Sequence, residues 1–290
     1  MKAIYKRELK SYFGGMIAYI VIALIIAFVG FVASVVNLTA GYPNFEYALC
    51  EPYSILAVII ALSLLTMKCF ADEKREKTDQ LLYSLPLKMS DIVMGKYLAM
   101  LTVYLIPVGV MCMWPIILSM FGDVNMLQSY STIFAQLLLG ACLIAVGMFL
   151  SSLTESQVIA AVMTIGTFLA MYFMPTIAST FLPETAKATL ICIFLVIAVL
   201  ALIMYSLTGN MYVAIGTGFC LEAINVTVYF VKPGVYDGAF PDILNELSVF
   251  NRLTPFANGT FDITAIVYFL TISGVFVFLT IQSLEKKRYS

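Results

Sequence analysis

Eight long apolar runs follow one another along this sequence, and they constrain its fold more than any other feature. They cover residues 16–36, 53–70, 97–121, 131–150, 158–180, 189–206, 211–231 and 263–284. Most approach the roughly 20 residues that a helix needs to cross a bilayer. Because 62% of the 290 residues are hydrophobic and only 11% are charged, a soluble domain of this size could not bury its apolar surface. The sequence therefore predicts an all-α, polytopic transmembrane bundle.

The number of crossings is six or eight. Only the tetrapeptide at 207–210 joins the sixth and seventh runs, so these runs form either a helical hairpin or a re-entrant pair that never crosses. Pro107, Pro115 and Pro175 lie inside runs, where neighbouring helices can satisfy the carbonyls that proline frees. We expect a single membrane domain over residues 1–290.

Residues 1–13 have the spacing of a short amphipathic helix. Its apolar side carries Ile4, Tyr5, Leu9, Tyr12 and Phe13, and its other side carries Lys6, Arg7 and Lys10. Such a helix lies in the headgroup plane, with its cations near anionic lipid. The basic start of a signal peptide is the alternative. It is disfavoured because the following run is long and no clear cleavage site closes it.

Lysine and arginine are unevenly distributed, and cytoplasmic loops carry an excess of both. The N-terminal segment holds four, the segment 68–96 holds six and the C-terminal tail holds three of the 16 in the chain. We therefore expect both termini and the loop 71–96 in the cytoplasm, and the loops 37–52, 122–130 and 232–262 outside. Six and eight crossings both satisfy this arrangement.

The loop 71–96 is the most informative segment between two runs. Its first part mixes acids and bases at helical spacing, which favours a solvated helix. Leucines follow at 81, 82 and 85, and Pro86 is expected to end this helix. Ser90 and Asp91 are typical of the start of the next helix. The loop is either a solvated connector or, because its leucines lie beside charges, a docking surface for a protein partner.

The sequence offers few groups for catalysis or metal binding. It contains no histidine, which excludes His-based triads and His-ligated metals. The six cysteines are scattered without a C-x-x-C pair, so small apolar packing residues are the expected role. No basic stripe suggests nucleic acid, and no G-x-x-x-x-G-K-[ST] loop is present to hold a triphosphate. We therefore expect no catalytic residue, no metal site and no nucleic-acid partner.

Glu222 is the only ionisable residue placed well inside an apolar run. A charge there is costly and usually faces a cavity or a partner. Glu222 either lines a translocation pathway or has a plainer role, as an interfacial residue or as an acid hydrogen-bonded to Asn225 or Thr227.

The loop 232–262 contains a predicted short helix that starts at Pro241 and Asp242. The apolar residues Ile243, Leu244, Leu247 and Phe250 would share one face of it. A helix of this kind is suited to lying on the bilayer surface.

Four segments together resemble one family. They are MKAIYKRELKSYFGGMIAYI at the start, FADEKREKTDQLLYSLPLKMSDIVMGKYLA, SSLTESQVIAAV, and the pattern from 247–256 to the tail EKKRYS. On these segments the chain resembles permease subunits of ABC type-2 exporters, and among them the gliding-motility and copper-processing type. The second segment is the most specific. Many relatives have glycine where this chain has Lys77.

The resemblance implies that the loop 71–96 contains a coupling helix that sits in a cleft of a separate ABC ATPase. The matching loop residues are Glu73, Glu76, Thr78, Leu81, Leu82 and Pro86. It further implies ATP and Mg bound by that ATPase, a second permease subunit that is identical or different, and a bacterial cytoplasmic membrane. The helix in the loop 232–262 would then be an external gate.

The main alternative is an ion-coupled secondary transporter that uses Glu222. Such a protein would need several intramembrane acids or broken helices near the middle of the membrane, and only Glu222 is clearly available. An intramembrane enzyme is further disfavoured, because no pair of acids lies inside the runs to act as acid and base. An assembly or anchoring subunit without a transport path is the remaining alternative.

Overall fold

The computed structural model describes residues 1–77, 88–181, 189–191, 193–197, 211–231, 234, 236 and 238–289. Within these ranges the chain is helical and contains no strand, which confirms the all-α class. The helices are α1 (Lys2–Gly14), α2 (Ile17–Ala33), α3 (Glu46–Cys50), α4 (Pro52–Arg75), α5 (Met89–Met111), α6 (Trp114–Leu118), α7 (Met126–Leu153), α8 (Gln157–Phe181), α9 (Met211–Val231), α10 (Ala239–Leu247), α11 (Thr254–Ala257) and α12 (Ile263–Tyr289).

Six helical segments of the described chain are long and apolar enough to cross a membrane. They are Ile17–Thr39, Pro52–Arg75, Met89–Leu118, Met126–Leu153, Gln157–Ile177 and Ile263–Lys286. The predicted polytopic bundle is therefore confirmed, with six candidate spans. The stretch Leu221–Phe230 of α9 is apolar but shorter than the six candidate spans. The predicted connection at 207–210 lies outside the described residues.

The charged residues that follow the second apolar run continue α4 rather than starting a separate loop helix. α4 ends at Arg75, and the chain then turns through Glu76 and Lys77. The single predicted helix across this region is therefore wrong, because the left-handed backbone of Lys77 (φ +55°) interrupts it. Its predicted end before Pro86 lies outside the described residues. The predicted start near Ser90 is confirmed, since α5 begins at Met89.

Replacing Lys77 with glycine is expected to raise the free energy of unfolding by about 1 kcal/mol, because glycine adopts a left-handed backbone without the Cβ clash. The midpoint of thermal unfolding in detergent would measure the gain. Lys77→Ala removes the same charge and keeps the Cβ, so an equal gain in Lys77→Ala would show that charge, not backbone strain, is responsible.

Helix α7 packs against α4, α5 and α12. It runs parallel to α12, since Phe134 stacks on Phe261 and Phe149 meets Phe276 edge-on, at ring separations of 6.5 and 5.7 Å. It runs antiparallel to α5, since the Tyr97 hydroxyl donates to the Ala141 carbonyl at 3.2 Å and the Tyr104 hydroxyl donates to the Gln136 carbonyl at 2.9 Å. The opposite directions of α5 and α7 follow from the short connection that joins these successive spans.

Two glycines on α7 permit close contacts with neighbouring helices. A Cβ added at Gly140 would lie 2.1 Å from Cε1 of Tyr104 on α5. A Cβ added at Gly147 would lie 2.5 Å from Oγ1 of Thr66 on α4. Small residues of this kind let membrane helices approach closely, where dispersion contacts and interhelical hydrogen bonds hold them together.

Contacts divide the described chain into two compact units, Met1–Met171 with Arg252–Ser290, and Tyr172–Asn251. In the second unit, α10 begins after Gly238, whose φ is +73°. α10 ends at Leu247, so Phe250 lies beyond the helix and does not share its face as predicted. The Phe250 ring instead meets the Tyr172 ring edge-on at 5.4 Å.

Candidate functional site

The end of α4, the start of α5 and helix α1 come together at one end of the bundle. Helix α1 lies close against α5 because residue 95 is a glycine. A Cβ at Gly95 would lie 3.1 Å from Cγ2 of Ile4, tighter than ordinary van der Waals contact. The Tyr5 hydroxyl also forms a 3.0 Å hydrogen bond with Thr102 on α5. The amphipathic helix is therefore packed on the bundle as well as suited to the lipid surface.

Lys96 is the central charge of this region, and its side chain is only 1% exposed. Its Nζ lies 2.9 Å from Oε1 of Glu73 on α4 and 3.4 Å from Oε1 of Glu8 on α1. It also donates a 2.8 Å hydrogen bond to the Cys69 carbonyl. A buried ammonium group is tolerated only with such partners, and here they come from two other helices, α1 and α4.

Arg7 completes the group from the solvent side. Its Nη2 lies 2.7 Å from Oε1 of Glu8 and 3.0 Å from Oε1 of Glu73. Burial lowers the pKa of Arg7, but its interactions with Glu8 and Glu73 outweigh burial and raise that pKa. We call Arg7, Glu8, Glu73 and Lys96 the interfacial ion cluster. Its two cations balance its two carboxylates, and it joins α1, α4 and α5.

The position of Glu8 follows from helical spacing. Ile4, Glu8 and Tyr12 are separated by four residues each, so they lie on one face of α1, and all three are buried. The sequence interpretation assigned the apolar residues of that face and overlooked Glu8 between them. An acid at the centre of a buried stripe is the signal that a buried cation faces it.

The charged residues at the end of α4 divide between the two sides of the helix. Lys74 is buried, and its Nζ donates to the Ser152 carbonyl at the end of α7, where a cation complements the helix dipole. Asp72 lies 3.7 Å from both Lys68 and Arg75. Glu76 is exposed at the turn that follows α4.

The predicted coupling residues have different surroundings. Glu73 belongs to the interfacial ion cluster, and its carboxylate faces α1 and α5. Glu76 remains open to solvent beside a cavity of about 440 Å³ that the cluster lines. Thr78, Leu81, Leu82 and Pro86 lie outside the described residues. Their docking role stays a prediction.

Glu222 lies on α9 and forms a local hydrogen-bonded group. The Asn225 side chain donates to its Oε2 at 3.2 Å, and the Tyr236 hydroxyl lies 2.8 Å from the Asn225 side-chain oxygen. Thr227 is not a partner of Glu222, since its hydroxyl bonds the Ala223 carbonyl. One of the two predicted partners is therefore correct.

Comparison with protein-family models identifies a family for this chain. The model of the family described as ABC-2 family transporter protein matches residues 34–287, which is most of the chain. The searches of curated proteins and of solved structures returned no match. The chain therefore belongs to the ABC-2 transporter family and is a membrane permease component of an ABC transporter.

Proposed function

We propose that this permease is the exporter subunit that receives the motion of a separate ATPase through the turn after α4. The interfacial ion cluster carries the proposal. Glu73 lies three residues before Glu76, where the chain leaves α4 for the predicted coupling segment. A force applied to that segment acts first on the C-terminal end of α4, which the ion cluster binds to α1 and α5.

The buried position of Lys96 holds α4 and α5 rigidly together. Separating α4 from α5 would leave the Lys96 ammonium unpaired in an environment that is 99% shielded from solvent. That cost is several kcal/mol per ion. Helices α4 and α5 therefore respond together to the ATPase, and α1 moves with them along the membrane surface.

The distribution of charge supports a cytoplasmic location for this end. The basic N-terminal segment and the basic residues between 68 and 96 both lie at the end of the bundle that holds the ion cluster. α12 runs parallel to α7, so its basic tail emerges at the same end. Under the positive-inside rule, both termini and the coupling segment are cytoplasmic in a bacterial membrane.

The complete transporter that we propose contains two permease subunits and two ATPase subunits. The family implies an ATPase partner, which binds the ATP and Mg, since this chain has no phosphate-binding loop of its own. The second permease subunit is a further copy or a close relative, and the gliding-motility or copper-processing type is the subfamily we assign. Glu222 is hydrogen-bonded to Asn225, which suits a packing role better than ion coupling.

Changing the leucines at 81, 82 and 85 together to aspartate is expected to abolish binding of the ATPase. Three carboxylates in the coupling segment would have to be desolvated against the partner. The measurement is co-purification of an ATPase, and its ATP hydrolysis, with tagged chain from native membranes in mild detergent. The native chain is expected to retain the ATPase and the variant to lose it.

A matched variant changes Met120, Phe121 and Leu127 to aspartate. These residues are exposed and lie at the opposite end of the bundle, so the same added charge should leave the ATPase bound. The proposal fails if no ATPase accompanies the native chain in several detergents, or if both triple variants lose it equally.

A further inference from the structure

The end of the bundle opposite the ion cluster contains a cavity of about 480 Å³ between α3, the start of α7 and the α11 turn. Its walls include Glu46, Tyr47, Glu51 and Asn258. This volume lies in the range of small-molecule sites. We call it the distal cavity. It lies within one compact unit, Met1–Met171 with Arg252–Ser290.

Glu46 is the most informative residue of the distal cavity, because its side chain is only 2% exposed. Ser129 lies 3.2 Å from Oε2 and donates its hydroxyl hydrogen to it. The other oxygen, Oε1, is buried and has no hydrogen-bond partner in the part of the chain that the structure describes. A buried carboxylate oxygen without a donor is costly, so a donor supplied by a ligand would stabilise it.

The electrostatic environment of the distal cavity is negative. Its described lining contains two carboxylates, Glu46 and Glu51, and no lysine or arginine. Burial, and then the charges of Glu46 and Glu51, raise the pKa of the Cys50 thiol to about 11. The cavity therefore disfavours anions, and the missing donor is best supplied by a cation.

The remaining lining residues favour an organic cation over a metal ion. Tyr47 lines the cavity, and the faces of aromatic rings attract ammonium groups. Ala257 and Asn258 complete this part of the lining. Among described residues, no group of three or more Cys, Asp or Glu is placed to hold a metal. Two carboxylates beside an aromatic residue suit a positively charged group with several N–H donors.

We propose that the distal cavity binds the ammonium group of an organic amine, with Glu46 Oε1 as its principal acceptor and the Tyr47 ring against its charge. The ligand is either a free amine or the headgroup of an amine-bearing lipid, since both present the same chemistry. The proposal goes beyond the exporter function. Its failure would leave ATPase coupling untouched, because the two tests use opposite ends of the bundle.

Trp114 provides the readout, because it is the only tryptophan in the chain. Its ring is stacked near Phe45, the residue before Glu46, at 6.1 Å between centroids. Purified full-length chain in an amine-free detergent would be titrated with ethanolamine while Trp114 emission is recorded. Sodium chloride at equal ionic strength controls for screening. We expect a saturable change with ethanolamine and none with sodium chloride.

Glu46→Gln keeps the shape and the Ser129 contact but removes the charge, so we expect its half-saturation concentration to rise at least tenfold. Tyr47→Leu is expected to raise it severalfold; Tyr47 is exposed, so this variant should fold normally. Asp123→Asn removes an exposed acid at the same end of the bundle and should behave as the native chain. An unsaturable native titration, an unchanged half-saturation in Glu46→Gln, or tighter saturation by calcium chloride would overturn the proposal.

Nanodiscs identify the source of the amine. The titration would be repeated in discs of phosphatidylglycerol alone and in discs with phosphatidylethanolamine. A tenfold weaker response in the second set supports ammonium binding with the lipid as occupant. Equal responses support it with a free amine as the ligand. Absence of saturation in the phosphatidylglycerol discs, where no lipid competes, would overturn it.

Discussion

Replacing Lys96 with methionine is expected to destabilise the protein by about 3–5 kcal/mol, the cost of removing one partner from a buried ion pair. Methionine fills a similar volume, so the loss reflects charge rather than a cavity. Glu73 and Glu8 would be left facing each other beside α5, with only the half-exposed Arg7 between them. The midpoint of thermal unfolding in detergent, with the yield of monodisperse protein, measures the effect.

Two further variants separate this explanation from a general loss of charge. Lys68→Met removes a lysine whose side chain is 41% exposed and 3.7 Å from Asp72, so a loss below about 1 kcal/mol is expected. Combining Lys96→Met with Glu8→Gln and Glu73→Gln removes the unpaired charges and should recover most of the stability. If Lys96→Met and Lys68→Met lose equal stability, the ion cluster does not hold α1, α4 and α5 together.

Gly140→Ala is expected to cost about 3 kcal/mol, near the upper end of typical overpacking. The added Cβ would lie 2.1 Å from Cε1 of Tyr104 and 2.3 Å from its Cζ. The ring cannot move aside easily, because Tyr104 is fully buried and its hydroxyl is bonded to Gln136 on the same helix as Gly140. Helices α5 and α7 must therefore separate, which would lower the unfolding midpoint.

Gly109→Ala is the matched control, since nothing lies within 4 Å of a Cβ at that position. Alanine is the better helix former by up to about 1 kcal/mol, so this variant should be neutral or slightly stabilised. Tyr104→Leu combined with Gly140→Ala should lose less stability than the sum of the single changes. Additive losses would mean that the ring and the glycine do not compete for the same space.

The sequence predicted the spanning helices well because crossing a bilayer demands an apolar run that is visible in one dimension. The fourth and fifth runs differ from α7 and α8 by only a few residues at each end. The second run stopped at residue 70, too early, because the chain leaves the hydrocarbon before α4 ends at Arg75. Apolar character marks the membrane, whereas hydrogen bonds and caps mark the ends of a helix.

The buried charges were harder to predict because their partners are distant in sequence. Lys96 is one of several lysines in a basic segment, and nothing local indicates that it meets Glu8. Glu46 follows a loop in a region assigned to solvent, yet packing against Ser129 buries it. Glycine in a membrane helix indicates close packing, but only the fold identifies Tyr104 as the neighbour of Gly140.

The parallel pairing of α7 and α12 has a consequence during synthesis. Phe134 emerges from the ribosome long before its stacking partner Phe261, and Gln128 long before the Ala257 carbonyl to which it donates. Throughout translation of the intervening segment, this side of α7 faces lipid or whatever insertion factor attends the nascent chain. Slowing elongation ahead of α12 would lengthen that interval and expose unfinished chains to membrane proteases.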